Sequence, residues 1–220
     1  MSTIMLTADD GHEFSAYVAG PEDAEMGLVI VQEIFGVNSH MRHASDTFAA
    51  AGFRVICPAL FDRAERDVEL GYTGPDMQKG IELRGKIADD KTMLDIEAAA
   101  AELGTEAIGI VGYCWGGTIA WWGATRSETF DVAVGWYGGG IAGTKTETPN
   151  CPVQLHFGGQ DDHIPQSDID AISEAQPDVE IFVYDDAGHG FGCEQRPSFE
   201  PASYELAQSR TLEFLRENLG

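Results

Sequence analysis

Val111-Gly112-Tyr113-Cys114-Trp115-Gly116-Gly117 closes an apolar run from Ala107 to Val111 and opens a small-residue, aromatic helical stretch from Thr118 to Thr125. A strand that turns sharply into a helix brings the backbones two residues before and after the turn residue too close for a Cβ. Gly112 and Gly116 therefore stand where larger residues would clash. The residue between them is Cys114, so the stretch reads as a nucleophile elbow of the G-x-C-x-G form. The turn lifts Cys114 above the sheet edge and sets its sulfur at the positive end of the following helix. Thiolate is favoured there, and the Trp115 backbone N–H is available to donate. A buried cysteine in an ordinary strand-to-helix turn is the plain alternative, and partners elsewhere in the chain decide between the two.

Upstream of the elbow, residues 4–6 and 14–18 flank Ala8-Asp9-Asp10-Gly11, two short runs across a D-G turn that predict an antiparallel hairpin. Residues 27–31 read as a buried strand ending in Gln32-Glu33-Ile34-Phe35-Gly36-Val37-Asn38, which places an acid where a parallel strand delivers it to a ligand edge. A helix over 39–51 with Ser39 as N-cap and a strand over 53–57 follow. His40 and His43 lie one helical turn apart, but with no third ligand nearby they read as a solvated face, and no metal is expected. Residues 58–80 show little periodicity and read as a long loop over the strand ends, and 81–103 as one helical region stopped by Gly104. Downstream come strands over 132–137, 153–157 and 179–184 and helices over 167–174 and 202–219. Strands alternating with helices predict a mostly parallel sheet covered on both faces, in one domain spanning 1–220.

With 220 residues, 43% of them hydrophobic, the chain can bury a substantial core. It opens Met1-Ser2-Thr3-Ile4 without a basic start, and no run approaches the roughly 18 to 20 apolar residues of a membrane span. The expectation is a soluble cytoplasmic protein with no membrane partner. Four scattered cysteines (Cys57, Cys114, Cys151, Cys193) make no disulfide framework and no C-x-x-C pair, and Cys57 and Cys151 read as small core filler. The 37 Asp and Glu against 13 Lys and Arg leave a net charge of −24, which excludes nucleic acid as a partner. Because the acids are spread along the chain, they form an acidic folded surface. Such a surface suits the salty cytoplasm of a halophile, where self-repulsion is screened.

Three groups fall on consecutive loops of one sheet edge, in the order nucleophile, acid, histidine: Cys114, an aspartate after the 153–157 strand, and His189 after the 179–184 strand. Asp161 is the choice over Asp162, which is better placed to face solvent. His189 would take the thiol proton and later assist the leaving group, while the acid fixes its tautomer. His156, inside a strand, reads as a satisfied structural histidine and His12 as a surface one.

At this point the residues resemble a known family. Gln32-Glu33-Ile34-Phe35-Gly36-Val37-Asn38, Gly112-Tyr113-Cys114-Trp115-Gly116-Gly117, Gly158-Gly159-Gln160-Asp161 and Ala187-Gly188-His189-Gly190-Phe191 are similar, in order, to motifs of the dienelactone hydrolase family. The resemblance implies an α/β-hydrolase fold, a triad of Cys114, Asp161 and His189, and an oxyanion hole from the N–H groups of Ile34 and Trp115. It also implies that Glu33 meets the nucleophile. A carboxylate beside a thiol opposes thiolate formation, which would protect Cys114 from oxidation until substrate displaces the acid. The substrate expected is a small ester or lactone, with no cofactor, and Arg84, Tyr113, Tyr137 and Phe35 are the expected substrate contacts. The sequence departs from the family at Cys193, where relatives acting on dienelactone carry one of two arginines that hold the substrate carboxylate. Arg63, Arg66, Arg84 or Arg196 are the candidates to replace it. A monomer is expected, and a homodimer is also open.

The rival readings are a general carboxylesterase for small neutral esters, a small-molecule receptor with a vestigial triad, and a thiol redox sensor using Cys193 as the resolving cysteine. Intact Cys114, Asp161, His189 and both elbow glycines favour an enzyme, since a receptor has no need of all five.

Overall fold

The computed structural model describes residues 2–220; Met1, part of the uncharged start read above, lies outside them. The chain forms two units, the first running to Ile108 and the second spanning Gly109–Gly220.

In the first unit, the Ala8–Gly11 turn is closed by Gly11 N–H donating to the Ala8 carbonyl at 2.8 Å and Ala8 N–H to that of His12 at 2.9 Å. It joins β1 (Ser2–Thr7) and β2 (Glu13–Ala19) as an antiparallel hairpin with Leu6 opposite Phe14. Alternation buries Phe14, Ala16 and Val18 on one face. β2 runs antiparallel to β4 (Arg54–Pro58), and β3 (Met26–Val31) pairs parallel with β4, giving the order β1-β2-β4-β3. β3 is buried from Gly27 onward, as a strand covered on both faces requires. The helices α1 (Ser39–Ala50) and α3 (Asp89–Leu103) pack on these strands, α1 on β2 and β4, and α3 on β1, β3 and β4.

Four expectations need correction here. Asn38, not Ser39, caps α1, its side chain accepting from Met41 N–H at 3.2 Å. His40 is buried, because the apolar stripe of α1 runs through His40, Met41, Ala44, Ser45 and Phe48, while His43 on the other side is exposed. About half of the stretch read as a loop is regular: a 3₁₀ turn at Leu60–Arg63 and the start of a helix, α2 (Gly74–Arg84). A capping box starts α2, in which Thr73 Oγ1 accepts from Asp76 N–H and the Asp76 carboxylate accepts from Thr73 N–H at 3.1 Å, with Pro75 in the first turn. The region read as one helix is thus two, α2 ending at its cap Gly85 and α3 beginning at Asp89.

The second unit begins within β5 (Ala107–Tyr113) and is a run of parallel strands in the order β5, β6 (Val132–Trp136), β7 (Val153–Gly158) and β8 (Glu180–Tyr184). Between them lie α4 (Trp115–Arg126), a short α5 (Ile141–Thr144) that the sequence did not suggest, and α6 (Gln166–Ala175), with α7 (Pro201–Leu219) closing the chain. α4 is buried over ten consecutive residues from Trp115 to Ala124, the state expected of a helix apolar all round. At the start of α7 the Glu200 carboxylate accepts from Ala202 and Ser203 N–H at 3.3 and 2.7 Å. No helix among the described residues is long and apolar enough to cross a membrane.

Candidate active site

β5 delivers Cys114 directly onto the first turn of α4. A Cβ on Gly112 would run into the Gly116 carbonyl, so the sequence can make this turn only with glycine there. Cys114 itself has φ of +56°, a conformation that L-residues other than glycine rarely adopt and that costs of order 1–3 kcal/mol. Its N–H donates to the Trp136 carbonyl at 2.9 Å, and its carbonyl accepts from Gly117 and Thr118 at 3.0 and 3.3 Å. The second strained residue of this unit is Tyr137, at φ +39° just beyond β6, held by its N–H donating to the His156 carbonyl at 2.8 Å.

β7 ends at Gly158, and three residues later Asp161 is buried while Asp162 is exposed. Asp161 Oδ1 accepts from His163 N–H at 2.8 Å, and Oδ2 lies 2.7 Å from His189 Nδ1. Both carboxylate oxygens are thus fixed, and the proton on Nδ1 leaves Nε2 to face the sulfur of Cys114 at 3.2 Å. The structure therefore brings Cys114, Asp161 and His189 together. Burial pushes the His189 imidazole toward its neutral form, but its hydrogen bonds to Asp161 and then to Cys114, with the negative charge of each, push its pKa up to about 10.

The His189 loop is braced by its own backbone and by Ser198, whose hydroxyl donates to the His189 carbonyl at 2.7 Å. Cys193 N–H returns to the Gly190 carbonyl at 3.0 Å, and Glu200 N–H to that of Phe191 at 3.2 Å. Gly190 has φ of +77°, and the guanidinium of Arg196 lies where its Cβ would be. Two rings hold the imidazole edge-on: Tyr137 at 5.2 Å and His163 at 5.1 Å between centroids. His163 and Ser198 did not stand out in the sequence. The position of His163 two residues beyond Asp161 was a usable signal, whereas nothing local marks Ser198.

Of the other expected site residues, Trp115 and Tyr113 are buried on either side of Cys114. Glu33, Ile34, Phe35 and Arg84 belong to the first unit. Glu33 is wholly buried two residues beyond β3, where Tyr72 O–H donates to its Oε2 at 3.3 Å and Asn38 donates in turn to the Tyr72 oxygen at 3.2 Å. An imidazole nitrogen of His40 lies within 4.8 Å of the Glu33 carboxylate. Phe35 is buried with its ring 4.6 Å from that of Tyr72, and Ile34 is half-buried. Arg84, in the last turn of α2, faces Asp89 at 3.7 Å with 43% of its side chain exposed. Cys193 is wholly buried, and none of the four cysteines is in a disulfide.

A model of the dienelactone hydrolase family matches residues 14–219. The chain belongs to the dienelactone hydrolase family. Among relatives of this dienelactone hydrolase family member, an Escherichia coli protein provisionally named carboxymethylenebutenolidase is 32% identical, the match covering 98% of this chain and 91% of that one. The carboxymethylenebutenolidase of Pseudomonas putida is 31% identical over 96% of this chain and 94% of its own. The crystal structure of a provisionally named dienelactone hydrolase from Klebsiella pneumoniae aligns with a TM-score of 0.83 and 27% identity, covering 99% of this chain and all of that one. The chain therefore has the α/β-hydrolase fold and is an ester/lactone hydrolase of this family.

Proposed function

We propose that this enzyme hydrolyses a small lactone or ester through an acyl intermediate on Cys114. The observation that carries the reading is the pair of contacts on His189, 2.7 Å to Asp161 and 3.2 Å to Cys114. The raised pKa of His189, about 10, makes its imidazole a ready acceptor for the thiol proton. The sulfur attacks the substrate carbonyl as thiolate, helped by the positive end of α4. The oxyanion is held by Trp115 N–H and, as the family resemblance implies, by Ile34 N–H. The imidazolium gives its proton to the leaving alkoxide. In a lactone that alkoxide remains tethered to the acyl group as its new hydroxyl. Neutral His189 then takes a proton from water, which attacks the thioester and frees the acid and the sulfur.

The lactone in the proposal comes from the relatives named carboxymethylenebutenolidase. Wholly buried Cys193, at a position where the family resemblance implies an arginine, favours, as a second reading, substrates without a carboxylate. Glu33 is assigned by the resemblance the part of restraining the resting thiolate. The test is Cys114→Ala, expected to remain folded and to lose hydrolysis of a panel of lactones and aryl esters. In the native enzyme, mass spectrometry of acid-quenched turnover should find the acyl group on Cys114. Full turnover in Cys114→Ala, or an acyl group found elsewhere, would sink the mechanism.

A further inference from the structure

His156 lies in β7, five residues before Asp161, and is wholly buried. It takes no part in the chemistry above, yet its neighbours define its protonation. The Gln154 side chain donates from Nε2 to the Glu180 carboxylate at 2.9 Å, and a carboxylate only accepts. The Gln154 amide is therefore oriented, with Oε1 facing His156 Nε2 at 2.9 Å. Nε2 must carry the proton, and the Thr211 oxygen at 3.0 Å takes a second share of it. The bare Nδ1 accepts from Tyr184 O–H at 2.8 Å, and the phenol oxygen accepts from Arg210 Nη1 at 3.3 Å. Every link donates in the same direction: Arg210 to Tyr184 to His156 to Gln154 to Glu180. The chain runs from a guanidinium to a carboxylate through the interior, the polarity in which successive hydrogen bonds strengthen one another. Burial, with the nearby Arg210 charge, holds the His156 pKa down to about 3, so the relay keeps a neutral imidazole.

The relay joins the two strands from which the acid and the histidine depart. Tyr184 is the last residue of β8, opposite Gly158 at the end of β7. Its carbonyl accepts from Gly159 N–H at 2.7 Å on the Asp161 side and from Ala187 N–H at 3.1 Å on the His189 side. Gln160 N–H donates to the Ala187 carbonyl at 2.9 Å and closes the two loops on each other. The Tyr184 ring lies 5.2 Å from that of Phe191, which lies 5.5 Å from that of Tyr137, itself against His189.

Resting on the acyl-transfer reading of His189 given above, we propose that His156 and Tyr184 are positioning residues for the Asp161–His189 pair. The directed hydrogen bond between them holds the two departing loops in the register that aligns Asp161 Oδ2 with His189 Nδ1.

The test is Tyr184→Phe, which removes the hydroxyl and keeps the ring, beside Tyr204→Phe. Tyr204 packs on Trp136 at 6.2 Å between ring centroids and is outside the relay. In Tyr184→Phe, kcat should fall about tenfold with KM within twofold, the scale of a small misalignment in a catalytic pair. The pH midpoint for alkylation of Cys114 by iodoacetamide should move upward, because a less well held imidazolium favours thiolate less. Tyr204→Phe should change neither. A second measurement uses the native enzyme and does not depend on any variant folding. Long-range proton–nitrogen spectra should show His156 as a neutral ring protonated on Nε2 from pH 5 to 9. The proposal falls if that ring is charged or protonated on Nδ1, or if folded Tyr184→Phe keeps both native kcat and the native alkylation midpoint. A loss of thermal stability alone, with kcat and the midpoint unchanged, assigns the relay to structure and overturns it equally. Inactive Cys114→Ala beside a fully active Tyr184→Phe would remove this proposal and leave the acyl-transfer reading standing.

Discussion

The guanidinium of Arg196 lies against Gly190, the residue after His189, so one cation belongs to the loop that carries the histidine. At long range, a molecule of net charge −24 repels an anionic substrate, and only near neighbours can reverse the field at the site. A charge-assisted contact from a guanidinium contributes about 1.5 to 3 kcal/mol, or roughly tenfold to a hundredfold in binding. Arg196→Ala should therefore lower kcat/KM for a carboxylate-bearing lactone by about that factor, and for its neutral methyl ester by less than about threefold. Rates for both substrates at fixed high salt make the comparison. Equal losses would mean that Arg196 supports the loop and does not read charge. The same residue shows where sequence reading stops. Arg196 could be named as a candidate cation, but its seat at Gly190 depends on a left-handed turn and a loop folded back on itself, and neither leaves a local pattern.

At the scale of elements, the elbow was legible because close packing of two backbones admits only glycine, so Gly112 and Gly116 advertise the turn directly. The parallel strands leading to Asp161 and His189 were legible for a similar reason, as short apolar runs followed by glycine-containing loops. The start of α2 was legible too and was passed over, since Thr73 and Asp76 with Pro75 between them form a helix-start signature weaker than the irregular composition around it. Thr73→Ala should cost about 1 kcal/mol, the usual worth of such a cap, read as a lower urea midpoint with an unchanged slope. His40 was misread because two histidines one turn apart suggested a shared face, whereas the stripe of Met41, Ala44 and Phe48 assigns His40 to the interior. The β7–β8 pair makes a pH prediction whose sign follows from burial. A folded pKa of about 3 for His156 lies below the unfolded value near 6.5, so the unfolded chain binds the proton first as the medium becomes acid. The favourable contribution is complete above pH 6.5 and is lost as pH falls toward 3, at up to about 1.4 kcal/mol per unit. His156→Gln cannot titrate, so its melting temperature should fall less steeply than that of the native protein over this window. Parallel curves would mean that His156 is already charged in the folded state.

For the molecule as a whole, the acidic surface makes stability depend on salt. Self-repulsion of a −24 chain acts over the Debye length, about 10 Å at 0.1 M and 3 Å at 1 M. The melting temperature should rise from dilute buffer to about 2 M potassium chloride, and esterase activity with it. A flat or falling melting temperature over that range would remove the case for adaptation to high salt without touching the active-site argument. The three groups assigned to catalysis all lie in the second unit, and the contact between His189 and Cys114 spans 75 residues of chain. A ribosome adding about 5 to 20 residues per second needs on the order of 4 to 15 s to make that stretch. Throughout that interval the nascent thiol has no imidazole to share its proton. On the proposed mechanism the enzyme is therefore delivered with Cys114 unarmed, and the reactive pair exists only after nearly the whole polypeptide has been translated.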